Sequence, residues 1–541
     1  MARSIRVLDT TLRDGAQMER ISFSVKDKLR IARKLDSLGV HYIEGGWPGS
    51  NPKDAAFFAE ARNLDLKQAR LAAFGCTRRA GTKASTDRSI VALLEADTST
   101  VVIVGKSSDV HVRYVLGTTM EENLSMIEDS IAWLKAAGKE VIFDAEHFFD
   151  GYRSDATYAM ATVRTAWEAG ADCIVLCDTN GGALPWEVSR ATERVRDEFP
   201  QLSLGIHAHD DSGVAVANTL VAVEAGASHI QGTINGYGER CGNANLCAVI
   251  PTLQIKMGLD VIPPERISSL TEVSRYVSEV ANLKPYPHWP YVGRSAFTHK
   301  AGLHVNAISK MVKSYEHVDP DLVGNQRRVL VSELAGAGNI QYKIEELPLK
   351  MELSTAQARD LVLHIKEMES KGFQFEGAEG SLELLLCRSQ PGYLAPFEVL
   401  DFIVLVEKRK GGEILAEATV KARVDGVIMH TAAEGNGPVN ALDKAMRKAL
   451  LQFYPRLADV QLTDFKVRIL DEQAATEAQT RVLIDASDGE NSWSTVGCSA
   501  NIIEASFQAL IDSLEFPLMR YRLHEESALS QQVCAQTEAC R

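Results

Sequence analysis

Cysteine is scarce in this sequence, and long apolar runs are absent. The 541 residues include nine cysteines, a sparse and odd number. Cys173 and Cys177 lie in the apolar run CIVLC, where both would face the same side of a strand, so buried free thiols are favoured over a disulfide or a zinc site. No apolar run approaches the ~18 residues of a membrane-spanning helix, and MARSIRVLDTTLRDG lacks the apolar segment of a signal peptide. These features predict a cytoplasmic protein that does not bind a membrane.

An excess of positive charge is also missing. Lys and Arg number 58 against 72 Asp and Glu, which gives a formal net charge of −14, and no basic patch is segregated. Such a chain is a poor partner for nucleic acids or anionic membranes. The apolar fraction of 45% and the charged fraction of 24% are typical of a soluble globular protein. At roughly 150 residues per domain, the length predicts three or four domains, or one large barrel with attachments.

Several common motifs are lacking, and a repeated pattern is present instead. No GxGxxG follows the first β-rich run, and there is no Walker loop, Ser-His-Asp constellation or zinc-finger pair. Residues 1–258 instead repeat one unit eight times, in which a short β-rich run is followed by a turn and a helical pattern. The β-rich runs are IRVLD (5–9), VHYIEGG (40–46), RLAAFG (70–75), TVVIVG (100–105), EVIFDAEHF (140–148), DCIVLCD (172–178), LSLGIHAH (202–209) and HIQGTING (229–236).

This repeat predicts an α/β fold with a closed (β/α)₈ TIM barrel. Strands that alternate with helices pair in parallel, because parallel neighbours need a crossover connection. Eight such units match the size and the strand number of a TIM barrel, which we place over residues 1–263. An open doubly wound sheet is the alternative, but the glycine-rich loop expected after its first strand is missing.

The rest of the sequence predicts two further parts and a tail. Helical patterns broken by polar loops over 264–375 indicate a helical linker subdomain. Long alternating strands over 376–522 indicate a C-terminal α+β regulatory domain. Within it, 420–450 and 482–514 share a strand, an Asp-Gly turn, a second strand and an amphipathic helix, and two such units would bury their helices on a sheet. Residues 523–541 are polar and predict a frayed tail.

Polar residues gather where the predicted barrel strands end, which is where a TIM barrel builds its active site. Strands 3 and 4 end in less charged sequence. The polar residues that follow the other strands are Arg13 and Asp14 (strand 1), Glu44 (strand 2), Asp144, Glu146 and His147 (strand 5), Asp178, Thr179 and Asn180 (strand 6), His207, His209, Asp210 and Asp211 (strand 7), and Glu239, Arg240 and Asn243 (strand 8). This concentration at one end predicts a catalytic mouth.

The HAHDD segment is the most specific of these features. His207 and His209 are two positions apart on a strand, so both face the same side and can converge on one ion. A carboxylate from Asp14 and an amide oxygen from Asn243 would complete a mixed site that suits Mn²⁺, Mg²⁺ or Zn²⁺. Two histidines alone are also typical of hydrogen-bonded barrel residues. The two oxygen ligands at other strand ends favour a divalent metal site.

Other residues at these strand ends are candidates for substrate chemistry. Arg13 is next to Asp14 in the sequence, so a metal ion bound there would repel the guanidinium unless Arg13 binds an anionic oxygen that the metal also holds. A structural salt bridge is the alternative role for Arg13. Glu44 and Thr179 are candidates for substrate binding, although Thr179 could instead cap the next helix. Glu146 could act as a general acid or base, or hold one in place. His304, in FTHKAGLHVNAI, is on its spacing alone more typical of a structural histidine.

TTLRDG, the paired histidines of HAHDD and the GERCGN of GYGERCGN together resemble the family of 2-isopropylmalate, homocitrate and citramalate synthases. That family shares the metal-dependent barrel of 3-hydroxy-3-methylglutaryl-CoA lyase. The resemblance continues through FTHKAGLHVNAI, VGNQRRVLVSELAGAGNI and GNGPVNAL, and so covers nearly the whole chain. It is closest to the citramalate branch, which carries IEGGWPGSNPKD where other branches more often have IEAGFP. This segment and DAEHFFDG on strand 5 differ from the isopropylmalate branch, and both bear on the pocket for the keto acid.

The resemblance implies an acyltransferase that condenses acetyl-CoA with pyruvate and water to give (R)-citramalate and CoA, in isoleucine biosynthesis. It also implies a homodimer whose C-terminal domain binds a branched-chain amino acid effector, with isoleucine expected for a citramalate product. The residues implied are Asp14, His207, His209 and Asn243 as metal ligands, Arg13 as the carbonyl-polarising arginine, Glu146 and Thr179 on the substrate side, and His304 as a catalytic histidine lent by a second subunit.

Other functions are open on the sequence alone. The same chemistry could use 2-ketoisovalerate, with leucine as the effector, or 2-ketoglutarate. An acyl-CoA lyase would match only the barrel and not the C-terminal strand repeat. An inactive amino-acid sensor would not need the metal and arginine set. A biotin-dependent carboxyltransferase would carry a Met-Lys biotin segment, which this sequence lacks.

Overall fold

Eight parallel strands, hydrogen-bonded in sequence order and closed by the pairing of the eighth with the first, form a barrel. The computed structural model describes residues 3–332, 335–346, 353–390, 392–408, 412, 414–471 and 477–539. The predicted TIM barrel is therefore confirmed, and the doubly wound alternative is wrong. The strands are β1 (Arg6–Asp9), β2 (Tyr42–Gly46), β3 (Arg70–Cys76), β4 (Thr100–Lys106), β5 (Glu140–Glu146), β6 (Cys173–Asp178), β7 (Leu204–Ala208) and β8 (His229–Gly232).

Helices return the chain between the barrel strands, and local signals set their ends. Helix α1 begins with a capping box, in which the side chains of Ser24 and Asp27 each accept a hydrogen bond from the other's backbone N–H, and it ends at Gly39 in the left-handed region. The helices of this part are α1 (Val25–Leu38), α2 (Pro52–Ala61), α3 (Arg88–Glu95), α4 (Asp109–His111), α5 (Met120–Ala136), α6 (Phe148–Ser154), α7 (Ala156–Glu168), α8 (Pro185–Glu198), α9 (Ala215–Ala225), α10 (Leu246–Pro251) and α11 (Leu270–Val280).

Apolar side chains fill the barrel in two layers. One layer lies between the strands and the helices, and a smaller cluster fills the interior of the barrel beneath the strand ends. Cys173 and Cys177 belong to the interior cluster together with Val175, because residues two apart on a strand share a face. Both thiols are buried and free, as predicted. The packed interior leaves room for a ligand only at the ends of the barrel.

The barrel unit extends past residue 263. By packing, the chain divides into one unit of residues 1–297 with 318–327, and a second of residues 298–317 with 328–541. Helix α11 belongs to the first unit because Leu270, Val273 and Val277 are buried in the same core as the barrel helices. Part of the segment expected to be a linker thus continues the barrel.

The second unit contains helices followed by two antiparallel three-stranded sheets. The Asp-Gly turn of the first repeat, Asp425-Gly426, has both residues at positive φ, as a tight hairpin requires. The predicted repeat is confirmed, and the last helix extends through most of the segment expected to be a tail. The elements are β9 (Thr298–His299), α12 (Gly302–Lys310), β10 (Arg328–Val329), α13 (Ala337–Glu346), α14 (Thr355–Ser370), α15 (Glu379–Arg388), β11 (Phe397–Lys408), β12 (Ile414–Val424), β13 (Val427–Gly435), α16 (Pro438–Leu450), β14 (Gln461–Ile469), β15 (Thr480–Ser487), β16 (Ser492–Ser499) and α17 (Ile502–Ala539).

Each half of this domain packs one helix on one sheet. Helix α16 packs on β12 and β13, and α17 packs on β15 and β16. Alternate residues of β12, from Ala416 to Val424, are buried in the core that these helices complete. Within the described part of the chain, no helix has the length and apolar character needed to cross a bilayer.

Candidate active site

A cleft of about 660 Å³ opens at the carboxyl ends of the barrel strands. Its lining combines charged groups with apolar side chains that rise from the barrel interior, such as Phe74 and Val104. A pocket of this size, with a few converging polar groups, is typical of a small-molecule site. The predicted site residues that line it together are Arg13, Asp14, Glu146, Thr179, His207 and His209.

His207 and His209 bring their Nε2 atoms together beside Asp14. These nitrogens are 3.3 Å apart, and each lies 3.7 Å from Oδ2 of Asp14. The three side chains are buried, and their donor atoms are close enough to one another to hold a single metal ion. His207 on β7 and His209, which directly follows the strand, point to the same side, and the turn after β1 brings the carboxylate to them.

Asn243 supplies an oxygen to the same place. Its Nδ2 donates to Oδ1 of Asp14 at 2.9 Å, and its backbone pairs with that of His209. Its own Oδ1 is buried without a hydrogen-bond partner, which is costly unless another group binds it. Two imidazoles, a carboxylate and an amide oxygen fit a divalent cation, so the residues present match the predicted metal site.

The pKa shifts at this cluster favour neutral histidines and an ionised Asp14. Burial, reinforced by the charge of His209, lowers the pKa of His207 to about 4. Burial acts to raise the pKa of Asp14, but the charges of Arg13 and the two histidines outweigh it and bring that pKa to about 2. A metal requires neutral imidazoles and an ionised carboxylate, so the site is ready to bind one with little release of protons.

Gln231 fixes the orientation of His207. Its Oε1 lies 2.8 Å from Nδ1 of His207, and its Nε2 donates to Oδ1 of Asp144 at 2.9 Å. An amide oxygen only accepts, so Nδ1 of His207 carries the proton and Nε2 keeps its lone pair for a cation. Burial, with the charge of Glu44, raises the pKa of Asp144 to about 8. Gln231 was not among the predicted site residues; its signal in the sequence is a polar residue within the eighth predicted strand.

We expect Gln231→Leu to weaken the binding of a divalent cation by ~10–100-fold, the usual effect of losing the outer partner of a ligating histidine. The measurement is a titration with Mn²⁺ in which free Mn²⁺ is counted by electron paramagnetic resonance. Gln254→Leu is the matched control, because the Gln254 side chain accepts from the backbone of Ile262, away from the metal ligands. Equal affinity in wild type and Gln231→Leu would contradict this role.

Arg13 contacts the candidate metal ligand Asp14 and also lines the cleft. Its Nε donates to Oε2 of Glu44 at 2.6 Å, and its Nη1 donates to Oδ2 of Asp14 at 3.0 Å. The guanidinium carbon lies 3.9 Å from the centre of the Phe74 ring. Burial acts to lower the pKa of Arg13, but Glu44 and Asp14 outweigh it and raise that pKa, so the charge is permanent. These bonds leave Nη2 as a donor for a bound anionic oxygen.

Glu44 lies behind Arg13 and is not among the residues that line the cleft. It is fully buried, it accepts from the hydroxyl of Thr10 as well as from Arg13, and its Oε1 has no hydrogen-bond partner. Glu44 thus holds the guanidinium of Arg13 in place. Its predicted contact with substrate stays a prediction.

Strands β3 and β4 contribute charge that the sequence analysis missed. Arg78 and Arg79 follow β3, Lys106 ends β4, and all three line the cleft. Lys106 forms an ion pair with Glu146 at the end of β5. The expectation that these two strands end in less charged sequence is therefore wrong. The Lys106–Glu146 pair arises because neighbouring strands end at the same edge, which the separation of the two residues in the sequence conceals.

Thr179 does not cap the helix that follows it. Helix α8 begins at Pro185 and its N-cap is Leu184. The hydroxyl of Thr179 instead accepts from the backbone N–H of His147 at 2.8 Å, and its carbonyl accepts from Arg240. This arrangement leaves the hydroxyl proton of Thr179 available to an acceptor in the cleft.

His304 belongs to the second unit, on helix α12. Its ring stacks on Tyr315 with the ring centres 4.2 Å apart, and it is half-buried. A catalytic role for it depends on a second subunit and stays a prediction.

Three family models match successive parts of the chain. Residues 4–277 match the HMGL-like family, 291–372 the homocitrate synthase post-HMGL domain-like family, and 376–518 the LeuA allosteric (dimerisation) domain. The (R)-citramalate synthase of Aquifex aeolicus is 51% identical over 96% of this chain and 99% of its own length. That of Geobacter sulfurreducens is 52% identical over 97% of this chain and 98% of its own length.

The chain belongs to the citramalate synthase family. It is an enzyme of the acyltransferase class that this family represents. Its barrel corresponds to the HMGL-like match, and its two antiparallel sheets to the LeuA dimerisation domain. Among solved structures it is similar to hydroxymethylglutaryl-CoA lyase from Pseudomonas aeruginosa, with a TM-score of 0.45 and 20% identity over 53% of this chain and 95% of that chain.

Proposed function

We propose that the protein condenses acetyl-CoA with pyruvate and water to give (R)-citramalate and CoA. The observation that carries the proposal is the sharing of Asp14 between Arg13 and the two histidines. A ketone oxygen in the cleft can then meet the guanidinium and a cation together, as the addition of a carbon nucleophile to a carbonyl requires. The near full-length likeness to (R)-citramalate synthases supports pyruvate as the keto acid.

Asp14, His207, His209 and Asn243 are the residues that would hold a divalent cation, which as a Lewis acid would polarise the ketone and balance negative charge. Burial of these residues favours the interaction, because charges attract more strongly where water is excluded. Mn²⁺, Mg²⁺ and Zn²⁺ all accept this set of ligands.

The chain's own groups account for substrate orientation. Arg13 donates a hydrogen bond to the ketone oxygen. The hydroxyl of Thr179 donates a hydrogen bond to the carboxylate of the keto acid. When the methyl carbon of acetyl-CoA, freed of a proton, forms a bond to the ketone carbon, the electron pair of the carbonyl moves to oxygen. Arg13, held by Glu44, stabilises the alkoxide that results. Protonation of that oxygen and attack of water on the thioester then release CoA and leave a tertiary alcohol with two carboxylates.

In this proposal, His304 of a second subunit is the base that removes the methyl proton. Glu146, which is held by an ion pair with Lys106, lies on the substrate side. The proposal for His304 rests on the family resemblance of FTHKAGLHVNAI. The match to the LeuA dimerisation domain supports a homodimer.

Co-expression of His304→Ala with Arg13→Ala chains tests this arrangement. Each variant alone should have little activity, but hybrid dimers should restore about one quarter of the wild-type rate, because half of randomly paired dimers are hybrids and each has one intact site. CoA release by the purified mixture gives the measurement. A mixture no more active than its parents would remove His304 from this role.

Release of CoA thiol from acetyl-CoA in the presence of Mn²⁺ tests the proposed reaction, with pyruvate, 2-ketoisovalerate and 2-ketoglutarate compared side by side. We expect pyruvate to give the highest kcat/KM by a wide margin. A preference for 2-ketoisovalerate would keep the chemistry but move the protein to isopropylmalate synthesis. No thiol release with any of the three would overturn the proposal.

Regulation and location follow from the same proposal. The match to the LeuA allosteric domain supports an effector site in the C-terminal domain, and isoleucine is the proposed effector because it is the end product expected of a citramalate pathway. The seven cysteines from Cys76 to Cys498 are free, which supports the proposed cytoplasmic location because disulfides persist in oxidising compartments.

A further inference from the structure

Trp47 stands between the active-site cleft and a second cavity. The second cavity has a volume of about 250 Å³ and lies beside the loops that follow β1 and β2. Arg13, Gln17 and Trp47 line both spaces. These three side chains therefore separate the cleft from an adjoining volume large enough for several non-hydrogen atoms.

A buried ion pair fixes the backbone of Trp47. Its N–H donates to Oδ2 of Asp54 at 2.9 Å, and the other oxygen of Asp54 accepts from Nζ of Lys28. That ammonium also donates to the carbonyl of Gly45 at 3.0 Å. Lys28 and Asp54 are both buried, so removal of either side chain would leave the charge of the other buried and unpaired. The backbone that carries the indole is thus held by the Lys28–Asp54 ion pair.

Two glycines allow this close approach. A Cβ on Gly45 would collide with the ring of Phe57, and a Cβ on Gly46 would collide with Asp54. Gly46 also has φ +147°, which side chains rarely tolerate. The two glycines therefore allow the end of the strand to pack closely against Phe57 and Asp54, and this packing determines where the backbone of Trp47 lies.

The indole contacts Phe74, the aromatic ring on which the guanidinium of Arg13 also packs. It meets Phe74 edge to face, with ring centres 5.3 Å apart and planes at 81°. Phe74 also packs against the guanidinium of Arg13, which lies 3.9 Å from the ring centre. Phe74 and Trp47 therefore form part of the apolar lining of the cleft beside Arg13.

We propose that Trp47 is a specificity-determining residue, which limits the alkyl group on the ketone carbon to a methyl by closing the space beside Arg13. This inference rests on the proposed condensation. Truncation of the indole would join the second cavity to the cleft next to Arg13. A longer alkyl group of a 2-keto acid could then occupy the volume that Trp47 closes.

The test is the kcat/KM of Trp47→Ala for three 2-keto acids of increasing alkyl size: pyruvate, 2-ketobutyrate and 2-ketoisovalerate. One methylene in a hydrophobic pocket changes kcat/KM by ~10–200-fold. We expect the ratio of 2-ketobutyrate to pyruvate to rise by at least ~10-fold in the variant, with a further rise for 2-ketoisovalerate. Trp186→Ala is the matched control, because Trp186 is 57% exposed at the start of α8 and should leave the ratios unchanged.

Trp47→Phe and Trp47→Leu keep the test decisive if Trp47→Ala does not fold, as judged by thermal melting. Both leave an apolar side chain on the loop and remove part of the indole, so the ratios should rise less than for Ala but in the same direction. Unchanged ratios in a folded variant would overturn the role of Trp47. A wild-type enzyme that uses no keto acid would instead overturn the proposed condensation, and one that prefers 2-ketoisovalerate would overturn the limit to a methyl group.

Discussion

Arg13→Ala is expected to lower kcat by ~10²–10³-fold, the range found when one preorganised donor to a developing oxyanion is removed. Arg13 carries a permanent charge, is held by Glu44 and Asp14, and keeps Nη2 for the substrate. Since the guanidinium acts mainly as charge builds on the ketone oxygen, kcat should fall more than KM rises. Steady-state CoA release at saturating acetyl-CoA and varied pyruvate separates the two constants.

Arg79→Ala is the control for this variant. Arg79 also lines the cleft, but it pairs with Asp87 and is largely exposed, so its loss should have a small effect. Arg13→Lys adds a second comparison, since an ammonium keeps the charge but cannot donate to Glu44, Asp14 and the substrate from one planar group. A kcat for Arg13→Ala close to that of wild type would remove Arg13 from the chemistry and leave it as a salt bridge of the barrel.

His207→Ala is expected to abolish tight binding of a divalent cation, a larger loss than the ~10–100-fold expected when an outer partner such as Gln231 is removed. The variant removes one of two adjacent imidazoles and leaves Asp14 buried next to Arg13. Mn²⁺ titration followed by electron paramagnetic resonance measures the affinity. Condensation should disappear with the metal, and it should also disappear in wild type after dialysis against a chelator.

His229→Ala is the matched control for His207→Ala. His229 is equally buried in the barrel but lies at the start of β8, at the opposite end from the cleft. The His229→Ala variant should have a lower thermal stability than wild type but the same affinity for Mn²⁺. Unchanged affinity in His207→Ala would contradict the metal site, and equal losses in both variants would show that the fold of the barrel was measured instead.

The barrel and its candidate metal ligands are predictable from the sequence because both depend on short-range rules. Alternation along β7 places His207 and His209 on one face, and parallel pairing brings the end of β1 to the same edge of the sheet. The position of Asp14 then follows from the order of strands alone. No long-range contact has to be known in advance.

Contacts that depend on the exact register of the strands or on side-chain packing are not predictable in this way. Gln231 on β8 meets Asp144 on β5 across the interior of the barrel, and this pairing depends on the register of strands far apart in the sequence. Lys106 and Glu146 meet because β4 and β5 are in register at their ends. The burial of Glu44 behind Arg13 likewise depends on side-chain packing that one sequence does not reveal.

In the proposed reaction, this barrel joins the methyl carbon of acetyl-CoA to the ketone carbon of pyruvate. The most direct measurement follows metal-loaded enzyme with acetyl-CoA and [2-¹³C]pyruvate by ¹³C NMR, together with thiol release and chiral analysis of the product. We expect the labelled ketone signal to become a tertiary alcohol signal, one CoA to be released for each ketone lost, and the product to be (R)-citramalate. Thiol release with the ketone signal intact would show hydrolysis of acetyl-CoA without carbon–carbon bond formation, and would contradict the proposed condensation.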